Sequence, residues 1–213
     1  MKQWTHRELC DKAVKWLKRS HSQSGHGCNV AVSEVASGWN GEIPDAIGFR
    51  CSGYMDGSVV VEVKVSRSDF LSDRKKPHRQ QPERGMGDWR YFLCPEGVIQ
   101  PEDLPNKWGL LYVTKRGGIK PIAGPATESS QYKFGELLEE FKHKKNSSRE
   151  HWVLVKLFSR IGDEEKLQNE LKAARTEVSR LMSRVNTLQK QLKESHVDHR
   201  RLMRELKAKG KPA

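Results

Sequence analysis

From Leu167 to Leu206 the apolar residues fall in alternating steps of four and three, and no Gly or Pro interrupts them. Leu167, Leu171, Ala174, Val178, Leu181, Val185, Leu188 and Leu192 carry the register, which runs on through Ser195, His199, Leu202 and Leu206. A 3.5-residue repeat held for about five and a half heptads is the pattern of a coiled-coil helix. A chain that commits this much of its length to one extended helix is more than one compact domain. The spacing predicts a coiled coil over 163–207 and a disordered tail over 208–213. Leu167, Leu171, Val178, Leu181, Val185, Leu188 and Leu192 are its candidate oligomerisation residues. The expected arrangement is a homodimer, or pairing with a helix of a partner protein. Packing of the stripe on the protein's own core is the alternative.

The rest of the 213 residues suffices for one ordinary domain. A net charge of +12 favours a polyanionic partner, because clustered Lys and Arg bind phosphates by releasing counterions. An anionic membrane surface competes for the same charge. No apolar run approaches the ~20 residues that span a bilayer, and no signal-peptide pattern is present. Cys10, Cys28, Cys51 and Cys94 are widely spaced without a CxxC pair. That spacing argues against a disulfide framework or zinc finger, and for packing cysteines in a reducing cytoplasm. The expectation is a cytoplasmic protein of a bacterial or phage-infected cell, with DNA rather than a membrane as partner.

Thr5 with Glu8 forms a capping-box pattern, and Leu9, Ala13, Trp16 and Leu17 recur at helical spacing, which predicts a helix over 5–19. Residues 29–35 alternate like a strand, and a short segment over 44–50 follows a Gly-rich loop. After the Asp56-Gly57 turn, 58–65 is the most strand-like stretch, rich in valine. A helix capped by Ser66 or Ser68 over 68–75, strands near 90–93, 110–114 and 119–122, and helices over 132–143 and 149–160 complete the reading. The order defines an α/β fold with a mixed sheet flanked by helices. The predicted domains are 1–124, a helical extension over 125–162, and the coiled coil.

Glu62 and Lys64 lie two apart on the valine-rich strand, so both leave the same face, with Val61, Val63 and Val65 on the other. Charges in so apolar a strand are costly unless something pairs with them. Asp45, on the preceding segment, can reach the same patch. Two carboxylates and the Val63 carbonyl make a hard-oxygen site suited to Mg²⁺ or Mn²⁺. Such a metal acidifies a bound water and offsets charge on a phosphodiester transition state, and Lys64 would hold the water or the phosphate. A cross-strand ion pair on a solvated face is the bland alternative. Ser66, Arg67, Lys75, Arg79 and Arg84 form a basic run beside these residues, either a set of phosphate contacts or a solvated face.

Pro44-Asp45 followed by Glu62-Val63-Lys64 resembles the signature of the PD-(D/E)XK nuclease superfamily. The run from Glu62 through Ser66-Arg67, Asp69-Phe70 and Asp73 to Lys75 is similar to the bacterial DNA-repair proteins called MmcB-like. Arg90-Tyr91-Phe92, Leu104-Pro105 and Gly109-Leu110-Leu111 follow in that family's order. The resemblance covers about residues 5–122. After Lys75 the family's tyrosine-containing stretch is replaced by Pro77-His78-Arg79-Gln80-Gln81 and a Gly85-Met86-Gly87 loop. The resemblance implies a restriction-endonuclease-like core and a Mg²⁺- or Mn²⁺-dependent deoxyribonuclease of phage or bacterial repair, recombination or defence. It implies catalytic roles for Asp45, Glu62 and Lys64 and an added carboxylate at Glu34 that positions metal or water, a plain surface residue being the alternative for Glu34. A nuclease-fold DNA-binding scaffold that no longer cuts, assembled through the coiled coil, is the alternative.

Further candidates have ready structural explanations. Glu8 matches an extra acid of some resolvase-like nucleases, but helix capping accounts for it. Asp69 and Asp73 lie one helical turn apart, and Asp69 suits a first turn through the helix dipole. Trp16, Trp108 and Trp152 are expected in the core, whereas Trp39, in a loop, is the one tryptophan suited to stacking on a base. The eight histidines show no paired ligand spacing.

Overall fold

The computed structural model describes residues 3–37, 43–73, 82–162 and 164–209. The chain divides into two compact units, Met1–Lys156 and Leu157–Ala213.

The first unit opens with helix α1 (His6–Leu17), and both halves of the Thr5–Glu8 capping box are formed. Leu9, Cys10, Ala13, Trp16 and Leu17 are its buried stripe. Strands β1 (Val30–Ser33), β2 (Ala46–Arg50), β3 (Gly57–Val63), β4 (Trp89–Pro95), β5 (Trp108–Val113) and β6 (Ile119–Ala123) form one sheet in sequence order. The β1–β2 and β2–β3 pairs are antiparallel, β3–β4 and β4–β5 parallel, and β5–β6 antiparallel. This is the mixed sheet with flanking helices that the element order implies. Helix α2 (Arg67–Asp73) lies in the crossover between β3 and β4. Helices α3 (Gln131–Glu140) and α4 (Ser147–Ile161) follow the sheet.

Two apolar clusters explain why β3 and β4 read as continuous hydrophobic runs. Val59, Val61, Val63, Trp89, Tyr91 and Leu93 join α1 and α3 residues, including Trp16, Phe134 and Leu138, in the larger cluster. Phe92 and Cys94 point into a second cluster with Phe70, Ile99, Trp108 and Leu110. Phe92 stacks on Trp108 at 4.4 Å and meets Phe70 edge-on. Strands buried on both faces are what parallel pairing within α/β layers requires. Gly109 fits the larger cluster because a Cβ there would lie 2.2 Å from the Tyr91 ring.

Several buried polar groups are paired across elements. His26 is enclosed by Trp16, Trp89, Tyr91 and Phe134, and its Nε2 lies 2.7 Å from the Tyr91 hydroxyl. Burial, aided by Arg50 and His21, lowers its pKa to about 3, so the ring stays neutral near pH 7. Elsewhere, Ser58 Oγ donates to Glu150 Oε1 at 2.6 Å, and the Gly87 N–H donates to the same oxygen at 2.8 Å. The Ser58 N–H donates to Asp88 Oδ2 at 2.8 Å. Lys145 pairs with Asp88 and with Glu150 Oε2, the latter at 2.8 Å. Burial works against the Lys145 charge, but these two carboxylates outweigh it and its pKa is raised.

Several expectations are corrected here. Trp152 is 43% exposed with Lys156 over its ring, so it is not a core residue, whereas Trp16 and Trp108 are. β3 ends at Val63, leaving Val65 exposed, and β1 covers only Val30–Ser33 of the expected 29–35. The helix expected to reach His143 stops at Glu140; the His143 N–H donates instead to the Asp88 carbonyl at 2.9 Å. Trp39 lies outside the described residues.

The second unit contains helix α5 (Glu164–Lys209), a single element of 46 residues. Leu167, Leu171, Val178, Leu181, Val185, Leu188, Leu192 and Leu202 are all exposed, between 38% and 58%. Glu177 and Arg180 pair along the helix surface at 2.9 Å. Among the described residues no helix is long and apolar enough to cross a membrane.

Candidate active site at the end of β3

The register of β2 on β3 pairs Ala46 with Val61, so one step further sets Asp45 against Glu62. Asp45 Oδ2 accepts the Val63 N–H at 2.7 Å, which pins the carboxylate to the strand that carries Glu62 and Lys64. Glu62 and Lys64 are each only 3% exposed, and Lys64 Nζ lies 3.8 Å from Glu62 Oε2. The Lys64 N–H donates to the Leu93 carbonyl at 2.9 Å, which extends the parallel pairing to this residue. The solvated ion pair on an open sheet face is therefore not what this sequence builds. The pair is buried, where removing two charges from water costs several kcal/mol per ion before pairing offsets it.

Asp45 has a raised pKa. Burial is the main cause and the Glu62 charge the second, opposed by the Val63 N–H, His6 and Lys64. A carboxylate held out of water beside a second carboxylate is a donor set that a hard divalent cation relieves, so Mg²⁺ or Mn²⁺ suits these residues.

On the other side of Asp45 stands a pair that the sequence reading passed over. His6 Nε2 is 3.2 Å from Asp45 Oδ1, and His6 Nδ1 is 3.5 Å from Cys10 Sγ. Both come from α1, four residues apart and therefore on one face. The Cys10 thiol is pushed up to about 12 by burial first, then by Asp45, Glu34, Asp11 and Glu62. The only trace of this group in the sequence is the His6-x₃-Cys10 spacing. Its third member is supplied by a distant segment, so no local motif announces it.

Glu34 lies just past β1 in a left-handed conformation, φ 54°, with an exposed side chain. Its N–H donates to the Pro44 carbonyl at 3.2 Å, which ties it to the segment bearing Asp45. Glu8 is engaged in capping, accepting from the Thr5 N–H at 2.9 Å. Ser66 caps α2 by accepting the Asp69 N–H at 3.2 Å, and Asp69 accepts the Val65 N–H at 3.1 Å. Arg67 is already paired with Asp103, its Nη2 lying 2.6 Å from Oδ1, so a phosphate would have to compete with that carboxylate. Arg84 is exposed, and its carbonyl accepts from Arg149. Lys75 and Arg79 lie outside the described residues, as does the stretch 77–81 where the sequence departs from the MmcB-like pattern.

No family model matches the chain, and no curated protein matches it. A solved structure of a protein of unknown function from Silicibacter pomeroyi is similar at a TM-score of 0.42 and 20% identity, over 76% of this chain and 97% of that one.

Proposed function

We propose that the first unit is a restriction-endonuclease-like core of the PD-(D/E)XK type and acts as a Mg²⁺- or Mn²⁺-dependent deoxyribonuclease. The observation that carries this reading is the convergence of Asp45, Glu62 and Lys64 in one buried patch, with Asp45 fastened to the N–H of the residue between the other two. Asp45 and Glu62 would hold the cation with the Val63 carbonyl, and the bound ion supplies Lewis acidity toward water and phosphate. Lys64 presents a point charge from a low-dielectric setting, where its pull on an attacking water or a phosphate oxygen is stronger than in bulk water. The excess of basic residues supports DNA as the substrate, since phosphate contacts dominate affinity. Ser66, Arg67, Lys75, Arg79 and Arg84 are the proposed phosphate contacts, and Glu34, tied to the segment bearing Asp45, a further carboxylate.

The test is cleavage of single-stranded, duplex, nicked and branched DNA with Mg²⁺ or Mn²⁺. Asp45→Asn and Glu62→Gln should abolish cutting and weaken Mn²⁺ binding, whereas Lys64→Ala should abolish cutting and leave Mn²⁺ binding largely intact. Cutting at the wild-type level by folded Glu62→Gln protein would falsify the assignment. Tight DNA binding with no cleavage of any substrate would support the second reading, a non-cutting scaffold.

A further inference from the structure

We infer that His6, Cys10 and Asp45 form a binding site for a borderline-soft divalent cation of the zinc class, which shares the Asp45 carboxylate with the proposed nuclease centre. One donor atom from each of the three residues lies within 4.8 Å of the others. Zinc held by thiolate at about 2.3 Å, imidazole at about 2.0 Å and carboxylate at about 2.0 Å in tetrahedral geometry sets its donors roughly 3.3–3.6 Å apart. The Cys10 Sγ–His6 Nδ1 separation, 3.5 Å, matches the thiolate–imidazole spacing, whereas the 3.2 Å contact to Asp45 is made by the other ring nitrogen, Nε2. A single ion takes only one ring nitrogen, so the imidazole has to shift until that nitrogen faces both Cys10 Sγ and Asp45 Oδ1.

His6 has the freedom for that adjustment, with 43% of its side chain exposed, while Cys10 is buried and Asp45 is pinned through its other oxygen. The capping box at Thr5 and Glu8 fixes the first turn of α1 and so sets where His6 begins. Three protein donors leave a fourth position for water, the open arrangement of reactive zinc sites. Thiolate and imidazole favour zinc over Mg²⁺, so the two cations would divide by ligand chemistry although they meet at Asp45. Binding replaces the Cys10 S–H bond by an S–metal bond and releases that proton to solvent, with no change of oxidation state. The surrounding carboxylates of Asp45, Glu34, Asp11 and Glu62 favour a cation here. If the nuclease reading also holds, zinc inhibits Mg²⁺-dependent cutting by taking Asp45.

The probe is Co²⁺, which reports a thiolate ligand by a sulfur-to-cobalt charge-transfer band in the near ultraviolet. Full-length protein titrated anaerobically with Co²⁺ should give that band at one ion per chain, and Zn²⁺ should bleach it. Cys10→Ser should lose the band. His6→Gln, a change at a half-exposed position that leaves the core intact, should weaken Co²⁺ binding by at least about tenfold, the loss expected even for removal of a ligand's supporting partner. Glu62→Gln should keep the band while losing cleavage, which separates failure of this site from failure of the nuclease reading. Absence of the band in the wild type, or its persistence unchanged in both Cys10→Ser and His6→Gln, overturns the inference.

Discussion

Asp45 sits where burial and a neighbouring carboxylate raise its proton affinity, and where an N–H, His6 and Lys64 oppose that rise without cancelling it. A folded-state pKa above the unfolded value means that the native state binds the proton more tightly. The associated stability is fully present below the ordinary value of 3.8 and is lost as pH rises through the raised pKa. Above the raised pKa, without a divalent cation, the ionised Asp45 therefore opposes folding. Asp45→Asn keeps an oxygen for the Val63 N–H and removes the charge. In chelator at pH 7 it should melt at a higher temperature than the wild type, and the difference should vanish below pH 3.8. With Mg²⁺ the order should reverse, because only the wild type gains binding free energy. Thermal denaturation at the two pH values checks this, and a lower melting temperature for Asp45→Asn in chelator at pH 7 would show that His6 and Lys64 make the charge favourable. Much of this site was legible in the sequence. Asp45, Glu62 and Lys64 stand out because a carboxylate and an amine interrupt a run of valines, and period-two alternation gives their common side. His6 and Cys10 were not legible, since a thiol on an apolar helix stripe looks like packing until the fold brings Asp45 against it.

At the scale of elements, the valine-rich run and the capping box were read directly because local propensity and tertiary demand agree there. Helix α4 and the residues just before it show the opposite case. Nothing in Lys145 or Glu150 distinguishes them from other charged residues in a basic, exposed stretch. Their burial follows from Ser58 and Asp88, which lie on or beside strands far away in the chain, so the signal is wholly long-range. The same helix exposes Trp152, because the face that turns inward is the one bearing Glu150 and Val153. Glu150 is the hub of this contact, with Ser58, Gly87 and Lys145 all donating to it. Glu150→Ala strands the buried Gly87 amide and leaves the Ser58 hydroxyl and the Lys145 ammonium with Asp88 as their one carboxylate, and should cost about 3 kcal/mol. Urea denaturation should show a lower midpoint with an unchanged slope. A loss under about 0.5 kcal/mol would mean that water replaces the carboxylate at no cost.

For the whole molecule, the open question is what covers the seam of α5. A helix of 46 residues is about 70 Å long at ~1.5 Å per residue, with its valines and leucines from Leu167 to Leu202 exposed. Isolated helices are marginal in water, and stability in proteins comes mostly from packing an apolar face. The proposed cover is a second copy. Leu171, Val178, Val185 and Leu192 occupy a positions with Leu167, Ala174, Leu181 and Leu188 at d, and valines at a with leucines at d favour a parallel dimer. Glu170 at g and Arg175 at the following e can pair between parallel chains. That exposed pair contributes perhaps ~0.5 kcal/mol, enough to bias orientation but not to drive assembly. Ser195 and His199 break the seam, so the last heptads should fray first. Sedimentation equilibrium on the full chain and on a version ending at Gly162 decides the matter. The full chain should be a dimer at tens of micromolar and the shortened one a monomer. Two monomers would exclude self-association, and α5 would then be the docking helix for a different protein's apolar seam.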